Sequence, residues 1–340
     1  MSKEKKIHRR ECLKFLGVMA AASLTAPLFI SPVRAQVSSL KKVVRTLPLM
    51  STYVSMTIYD TSRDRALEAC YAAFAEIKRL IRIFDRFDKN ALVGSLNETK
   101  RLLDVPPELE EVLSISRDVY DFTGGRFDIT VLPLLELTKG RYEIDHHFPS
   151  YKEIQEILPY VGWHNLSIGK GKITLTSGAA ITLDGIAKGY IIDRAASVLR
   201  ERGIRYALIN AGGDIRAVGD KGGSLWRIGV QDPTGARRYV QRVKIKDLAI
   251  ATSGSYINYF DPSRRHFHII NIKNGSSPQR ITSCSVIAPR GVMADALATG
   301  LYLYEPEDAI GLANASNIPV AIITHGDRIF TSSRWRQFVG

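Results

Sequence analysis

Asp295 and Thr299 form the clearest pair of hard oxygen ligands in this sequence. They are four residues apart in the segment ADALAT, so a helix would place both side chains on one face. A carboxylate, a hydroxyl and a nearby backbone carbonyl suit Mg²⁺, which retains water and binds substrate phosphates. The simpler alternative is a first-turn aspartate favoured by the helix dipole, with Thr299 incidental, and spacing alone favours that alternative.

Lys188 marks a second segment, whose composition suits an anion. In LDGIAKGY (183–190) a strand is predicted to end at a glycine turn, and a helix to begin with Lys188 near its positive end. The spacing matches neither the P-loop nor the dinucleotide-binding glycine pattern. An ordinary N-cap by Asp184 explains the segment at least as well.

A double glycine precedes another polar segment, GGRFDITV (124–131). Asp128 and Thr130 are expected to share one face of a strand beside Phe127. The two glycines either cap the preceding helix or let the backbone approach a ligand. Two similar polar segments, NAGGDI (210–215) and ATSGSY (251–256), follow or end predicted strands.

Two histidines are candidate bases. His266 and His268 are two residues apart on the strand predicted for Phe267–Ile272, so their side chains would project on the same face. Either imidazole could accept a proton near neutral pH, and an ordinary surface pair is the alternative.

The elements that must position these residues alternate irregularly. Helical spacing of apolar residues predicts helices over Arg63–Phe84, Pro106–Phe122, Ser150–Leu158 (with a Ser150/Glu153 capping box), Ile186–Arg202, Ala294–Tyr304 and Pro306–Ala315. Alternating or β-rich runs predict strands over Tyr53–Tyr59, Lys172–Leu175, Tyr206–Ile209, Trp226–Val230, Tyr239–Ile245, Phe267–Ile272, Ser283–Ala288 and Pro319–Thr324. Without a regular βαβ alternation, the predicted fold class is α+β, with mixed or antiparallel sheets flanked by helices.

Composition excludes several classes of protein. The chain has 340 residues, of which 45% are apolar and 24% charged, so it is neither disordered nor a collagen-like repeat nor a disulfide scaffold. The net charge of +13 invites a nucleic-acid interpretation. Two groups of cations are its nearest candidates: Arg237-Arg238 with Arg242, Lys244 and Lys246, and the pair Arg264-Arg265. Strand alternation in the first group favours a solvated face over a nucleic-acid footprint.

The first 35 residues are predicted to be an export signal. A basic region precedes an uncharged apolar run of 16 residues, 15–30, and Val33-Arg34-Ala35 has the form of a cleavage site. Arg9-Arg10 resembles a twin-arginine signal, with an ordinary secretory signal or an uncleaved anchor as alternatives. The body, residues 36–340, is then expected to be periplasmic, or anchored and facing the periplasm.

Two cysteines, Cys70 and Cys284, remain after such a cleavage. They could form one disulfide, but their positions favour two small buried hydrophobic side chains. No Cys and His spacing in the sequence suggests zinc.

The order of these segments resembles the ApbE family, the FAD:protein FMN transferases, from about Leu47 to Thr324. The matching stretches are GGRFDITVLPLL, LDGIAKGYIID, LINAGGDIRAVG, ATSGSY, HFHII and ADALAT. The resemblance implies an α+β, T-fold-related single unit with an FAD cleft. It also implies Mg²⁺-dependent transfer of the FMN moiety of FAD to a Thr or Ser hydroxyl of a target flavoprotein, with release of AMP.

The resemblance also implies roles for individual residues. Asp295, Thr299 and the backbone carbonyl of Gly185 would be the metal ligands, and His268 would be the catalytic base. The residues expected at the FAD site are Met50, Asn97, Arg126, Phe127, Asp128, Lys188, Asn210, Gly213, Ser253 and Ile269.

Several positions depart from the family pattern. Ser51 replaces a glycine, Ala91 and Gly94 replace two serines before Asn97, and Asn271-Ile272 replaces Asp-Pro. These changes leave two alternatives to transfer: hydrolysis of FAD to FMN and AMP, or flavin binding without catalysis. Binding of nucleic acid is not expected.

Overall fold

The computed structural model describes residues 40–236, 238–256, 259–261 and 265–340. The predicted export signal, residues 1–35, lies outside the described residues, as do Arg237 and Arg264.

Eight helices occur in the described residues. Their bounds are α1 Arg63–Phe84, α2 Leu92–Thr99, α3 Pro107–Phe122, α4 Leu132–Asp145, α5 Tyr151–Ile157, α6 Ala187–Glu201, α7 Gly291–Tyr302 and α8 Pro306–Ala315. Local signals set several ends: Ser62 caps α1, the Ser150/Glu153 capping box starts α5, and Gly203 adopts a φ of +78° after α6.

The strands are β1 Lys41–Leu49, β2 Thr52–Asp60, β3 Arg101–Leu103, β4 Leu166–Gly169, β5 Lys172–Leu175, β6 Tyr206–Ala211, β7 Asp214–Val218, β8 Trp226–Gln231, β9 Tyr239–Ile245, β10 Ala249–Gly254, β11 Ile281–Ala288, β12 Val320–Thr324 and β13 Ile329–Thr331. Eight of them form one antiparallel sheet in the order β1-β2-β6-β7-β10-β11-β12-β13. A three-stranded sheet, β3-β5-β4, and a ribbon, β8-β9, complete the β structure of the described residues. The α+β prediction with antiparallel sheets flanked by helices is confirmed.

The two faces of the large sheet pack against different partners. On β11 and β12, Val286 and Ile322 belong to the main core with the helices, whereas their neighbours Ile287 and Ile323 pack with the ribbon and Trp335. This follows from the alternation of side chains along a strand. The helices therefore cover one face of the sheet, and the β8-β9 ribbon covers the other.

The strand register brings three turns to one edge of the large sheet. The β1-β2 turn lies beside the β6-β7 turn, because Val54 pairs with Ala211. The end of β10 lies at the same edge. Ile250 of β10 pairs with Ile215 of β7, and from there β10 runs toward the β6-β7 turn. Polar segments that are far apart in sequence thus meet at one edge.

Three local predictions are wrong. The segment after Asp128 is a 3-10 helix leading into α4, because the Asp128 carboxylate accepts hydrogen bonds from Thr130 and Pro133 starts the helix well. Phe267–Ile272 is not a strand: Phe267 and Asn271 each make an isolated bridge. The chain before Gly185 is not a strand: side chains of Lys100 and Asn97 bind its backbone, and the Thr182 N–H donates to the Ile129 carbonyl at 2.7 Å.

Both cysteines of the body are buried and free, so the prediction of two small apolar side chains is confirmed. Among the described residues, no helix has the length and apolar character that crossing a membrane requires.

Candidate active site

Helices α6 and α7 cross with their backbones in direct contact. A Cβ atom on Gly291 would lie 2.6 Å from the carbonyl oxygen of Gly189, so neither crossing position has room for a side chain. At the crossing, the Gly189 N–H donates to Asp295 Oδ2 at 2.9 Å. Asp193 of α6 in turn accepts from the N–H groups of Gly291 and Val292, at 2.8 and 3.1 Å, which anchors the start of α7.

The predicted metal ligands of α7, Asp295 and Thr299, face the turn at Gly185 that precedes α6. A Cβ atom on Gly185 would be 3.0 Å from Thr299 Oγ1, so the backbone of residue 185 runs directly over the threonine. Ser253 Oγ at the end of β10 lies 3.0 Å from the same hydroxyl. The structure therefore brings Gly185, Ser253, Asp295 and Thr299 close to one another.

Lys188 extends from the first turn of α6 to a buried carboxylate. Its Nζ lies 3.0 Å from Asp214 Oδ2, and Asp214 Oδ1 accepts a hydrogen bond from the Thr252 N–H at 3.3 Å. The negative charge of Asp214 holds the pKa of Lys188 well above its usual range. The lysine is thus a permanent cation, 32% exposed, beside a helix N-terminus.

Asp295 is buried and has an unusual protonation equilibrium. Desolvation, followed by the repulsion of Asp214, raises its pKa to about 8, although Lys188 opposes the shift. The ionised form is costly here unless a positive charge approaches. A desolvated carboxylate beside a hydroxyl and a carbonyl is a donor set that fits a hard divalent cation.

No cluster of three or more His, Cys, Asp or Glu side chains in the described residues could hold a metal ion by itself. A cation at Asp295 and Thr299 would therefore complete its coordination with backbone, water or oxygens of a bound molecule. Mg²⁺ bound with substrate phosphates has this kind of ligand set.

Three of the residues expected to bind FAD lie at the turns of the sheet edge. Met50 occupies the β1-β2 turn with a φ of +55°. The N–H of Gly213 donates to Asn210 Oδ1 at 2.9 Å, which orders the β6-β7 turn. Asp214 follows directly, so this turn is connected to Lys188 through the ion pair.

The segment containing Arg126, Phe127 and Asp128 also approaches Gly185, beside Thr299. The buried ring of Phe127 would be 3.3 Å from a Cβ on Gly185. The Arg126 guanidinium lies 3.7 Å from the ring centroid of Tyr304. Asp128 Oδ2 is buried without a hydrogen-bond partner, and burial raises the pKa of this carboxyl. A buried acceptor without a partner can receive a donor from a bound molecule.

Asn97 binds the backbone of the segment that leads to Gly185. Its amide donates to the Ile181 carbonyl and accepts from the Ile181 N–H, both at 2.8 Å. Lys100 adds a hydrogen bond to the Ala179 carbonyl at 2.8 Å. Asn97 and Lys100 therefore hold the segment that leads to Gly185 by its backbone.

His268 and Ile269 lie on a loop held against the far end of α7. The ring of Phe267 meets that of Tyr302 edge-on at a centroid distance of 5.8 Å, and Phe267 exchanges hydrogen bonds with Ser277. His268 is half-buried, whereas the side chain of Ile269 is in the core. His266 stacks on Phe148, and burial lowers its pKa.

The simpler interpretations of Asp295 as a first-turn residue and of Asp184 as an N-cap are both wrong. Helix α7 begins at Gly291, so Asp295 is beyond its first turn and receives its hydrogen bond from another helix. Ile186 is the N-cap of α6, and Asp184 instead pairs with Arg86 at 2.8 Å.

Sequence reasoning missed Asp214 and Asp193. Asp193 ends the segment LDGIAKGYIID, and Asp214 lies in LINAGGDIRAVG. Asp214 could have been noticed as an acid directly after a double glycine.

Variants of the Lys188-Asp214 pair can separate the effect of the lysine charge on activity from its effect on stability. We expect Lys188→Met to reduce any reaction of a diphosphate at this site at least about 100-fold. It should also destabilise the protein by about 1–3 kcal/mol, because Asp214 is left buried without its cation. Adding Asp214→Asn should restore the urea midpoint but not the activity. Recovery of both by the double variant would show that the lysine serves only to balance the aspartate.

A sequence model of the ApbE family matches residues 50–323 of the chain. The chain belongs to the ApbE family. Among similar proteins are the FAD:protein FMN transferase of Haemophilus influenzae, 28% identical over 74% of this chain and 75% of its own length, and that of Vibrio cholerae, 32% identical over 64% and 68%. The enzyme of the same name from Escherichia coli K12 is 26% identical over 95% of this chain and 97% of its own.

Solved structures share the fold of this ApbE-family chain. The ApbE protein of Thermotoga maritima aligns with a TM-score of 0.80 at 27% identity, covering 88% of this chain and 99% of that one. The flavin transferase ApbE of Vibrio cholerae aligns with a TM-score of 0.76 at 25% identity, with the same coverage. The ApbE-like fold implied by the sequence motifs is thereby confirmed.

Proposed function

We propose that this protein is an FAD:protein FMN transferase that attaches the FMN moiety of FAD to a Thr or Ser hydroxyl of a target flavoprotein. The observation that carries the proposal is the convergence of Gly185, Lys188, Asp295 and Thr299 at one helix crossing of an ApbE-family chain. These groups suit a diphosphate with a divalent cation, and the relatives bear the name of this activity.

The reaction needs no redox step. The acceptor hydroxyl oxygen forms a bond to the phosphorus of the FMN half of FAD, the phosphorus–oxygen bond to the AMP half breaks, and the proton of the hydroxyl goes to His268. Lys188 binds the diphosphate and stabilises the added negative charge, and the carboxylate of Asp295 and the hydroxyl of Thr299 would hold Mg²⁺ with the Gly185 carbonyl. Mg²⁺, when bound, neutralises charge on the phosphate oxygens.

The departures from the family pattern are compatible with this proposal. Ser51 keeps a left-handed turn, with a φ of +55°. At residue 94 a Cβ atom would overlap the carbonyl oxygen of Asp88, so this backbone requires the glycine that stands where the family has serine.

The direct test is co-expression with a candidate flavoprotein, followed by in-gel fluorescence of the denatured target. Covalent fluorescence on the target, with AMP released from FAD in the presence of Mg²⁺, is the expected result. Release of FMN and AMP without a labelled target would instead identify an FAD pyrophosphatase. FAD that remains unchanged after long incubation with Mg²⁺ and the target would identify a flavin-binding protein.

His268→Ala is expected to reduce transfer at least about 100-fold while FAD still binds, because the acceptor hydroxyl then has no base. His266→Ala is the matched control: it lies two residues away, stacks on Phe148 and should transfer FMN at the wild-type rate. Single-turnover AMP release measures both. Loss of activity in the His266 variant alone would transfer the role of base to that residue.

Residues 1–35 are proposed to direct export and residues 36–340 to form the transferase. The proposed acceptor is accordingly a periplasmic protein or a membrane protein with its acceptor hydroxyl on the periplasmic side. The signal composition supports this location.

A further inference from the structure

Helices α6 and α7 carry the same short pattern where they cross. In each helix an aspartate follows a glycine by four residues: GYIID (189–193) on α6 and GVMAD (291–295) on α7. Four residues are about one helical turn, so each aspartate lies on the same side of its helix as its glycine. Because the two glycines are the points of contact, both aspartates are directed at the partner helix.

Each aspartate binds the start of the other helix. Asp295 of α7 accepts from the Gly189 N–H, in the first turn of α6, at 2.9 Å. Asp193 of α6 accepts from the Gly291 and Val292 N–H groups, the first two of α7, at 2.8 and 3.1 Å. The first N–H groups of a helix have no partner within it, and in the described chain neither N-cap residue binds them with its side chain. The two helices therefore cap each other.

Asp193 is itself held by a strand of the large sheet. The Arg216 Nε of β7 lies 3.1 Å from Asp193 Oδ1, and the two side chains are only 8% and 11% exposed. Arg290, just before α7, lies 3.9 Å from the other carboxylate oxygen. Asp214, two residues before Arg216 on β7, pairs with Lys188. Strand β7 thus fixes α6 through two side chains, those of Lys188 and Asp193.

The start of α7 determines where the proposed metal ligands lie. Asp295 and Thr299 follow Gly291 by about one and about two turns, so a shift of the first turn moves both. The glycine contact sets how closely the helices approach, since a Cβ atom on Gly189 would lie 2.2 Å from the Gly291 carbonyl oxygen. The two hydrogen bonds to Asp193 keep the helices at that contact.

We infer that Asp193 is a positioning residue for the divalent cation: from α6 it fixes the start of α7, and thereby the alignment of Asp295 and Thr299 with the Gly185 backbone. The inference rests on the proposed function, to which the cation belongs. Asp193 acts through α7 and is not itself a ligand. Replacing a group that orients metal ligands typically weakens metal binding about 10- to 100-fold.

Asp193→Asn tests this inference with little change in side-chain size. The amide has a single acceptor oxygen, so only one of the two N–H groups of α7 keeps its partner. Isothermal titration calorimetry of the purified full chain with MgCl₂ at pH 8 should give a Kd for Mg²⁺ at least about tenfold above that of the wild type. Without Mg²⁺, hydrogen exchange measured by mass spectrometry should be faster for the amides of residues 291–295.

Asp220→Asn, on the loop between β7 and β8, is the matched control. Asp220 also accepts from two successive backbone N–H groups, those of Gly222 and Gly223, at 2.9 and 3.0 Å, and it pairs with Lys246 at 3.3 Å. This variant should bind Mg²⁺ as the wild type does. Wild-type Mg²⁺ affinity and wild-type exchange of residues 291–295 in Asp193→Asn would overturn the inference.

A double variant separates positioning from charge balance. Asp193→Asn leaves the Arg216 guanidinium buried without its carboxylate, which destabilises the fold. Asp193→Asn/Arg216→Met removes both charges, so its thermal midpoint should lie above that of the single variant. Its Mg²⁺ affinity should remain low, because the carboxylate that binds α7 is still missing. Recovery of the wild-type affinity by the double variant would show that Asp193 serves only to balance Arg216.

Transfer assays distinguish this inference from the proposed function. With an acceptor flavoprotein, Asp193→Asn should need at least about tenfold more MgCl₂ for half-maximal transfer, with an unchanged KM for the acceptor. Transfer by this variant with the wild-type dependence on MgCl₂ would reject the positioning role and keep the transferase. Weaker Mg²⁺ binding by the variant, with no transfer by the wild type, would keep the positioning role and reject the transferase.

Discussion

Replacing Asp295 with asparagine is expected to reduce FMN transfer at least about 1,000-fold while the protein remains folded. The amide oxygen can still accept the hydrogen bond from the Gly189 N–H, so the crossing of α6 and α7 is preserved. What is lost is the negative charge that would hold a divalent cation between Thr299 and the carbonyl of Gly185. The protein should bind FAD but not cleave it.

The same variant should change how stability depends on pH. In the absence of a cation, burial and Asp214 raise the pKa of Asp295 from 3.8 to about 8. The folded chain therefore retains a proton that the unfolded chain releases, and this group lowers the stability of the wild type progressively as pH rises between those values. Asparagine has no such titration. Without Mg²⁺, Asp295→Asn should therefore match the wild type near pH 4 and melt at least about 2 °C higher above pH 8.

Thermal melts with and without Mg²⁺ check this expectation. Added Mg²⁺ should raise the thermal midpoint of the wild type at pH 8 but not that of Asp295→Asn. Asp308→Asn, on the exposed first turn of α8, is the matched control and should respond to Mg²⁺ as the wild type does. An equal response of the Asp295 variant would remove this residue from the metal site.

The second large effect is expected from Gly189→Ala. The added methyl group would overlap the Gly291 carbonyl oxygen and lie 2.8 Å from the Cβ of Asp295. The carbonyl oxygen belongs to the backbone, and the Cβ is attached directly to it, so neither atom can move by a side-chain rotation. Separating the helices would break the hydrogen bond to Asp295 and move the start of α7 away from Asp193. We expect a loss of about 3 kcal/mol or more in the free energy of unfolding, and loss of transfer.

Gly311→Ala is the control for this substitution. Gly311 also lies inside a helix, but a Cβ atom there meets nothing within 4 Å. Alanine should therefore stabilise the protein by about 0.5–1 kcal/mol through its greater helix propensity. Urea unfolding measures both variants. A Gly189→Ala protein with the wild-type midpoint and wild-type transfer would show that the crossing tolerates separation.

Local signals made much of the fold predictable. The helix Arg63–Phe84 has the predicted bounds because its apolar periodicity ends where the chain turns. The Ser150/Glu153 capping box and the left-handed Gly203 also act within one turn of chain. Such features depend on neighbours in sequence, so they can be recognised without a tertiary structure.

Other elements depended on distant partners. The strand β1 was not predicted, because it is stabilised mainly by pairing with β2 along its length. Asp128 and Thr130 alternate with apolar residues as in a strand, but the carboxylate of Asp128 captures the Thr130 N–H and hydroxyl and starts a helix instead. Periodicity over so few residues does not distinguish the two outcomes.

The sequence by itself determined the α+β class, the residues available for chemistry and their order along the chain, through which the family resemblance was found. Only the tertiary structure decided which partners the buried carboxylates of Asp295 and Asp214 have. Asp295 accepts its hydrogen bond from a residue 106 positions away, and Asp214 meets Lys188 only because the sheet register brings its turn to α6. Spacing specifies which side chains share a face, whereas the packing of glycine against glycine at Gly189 and Gly291 specifies what that face touches.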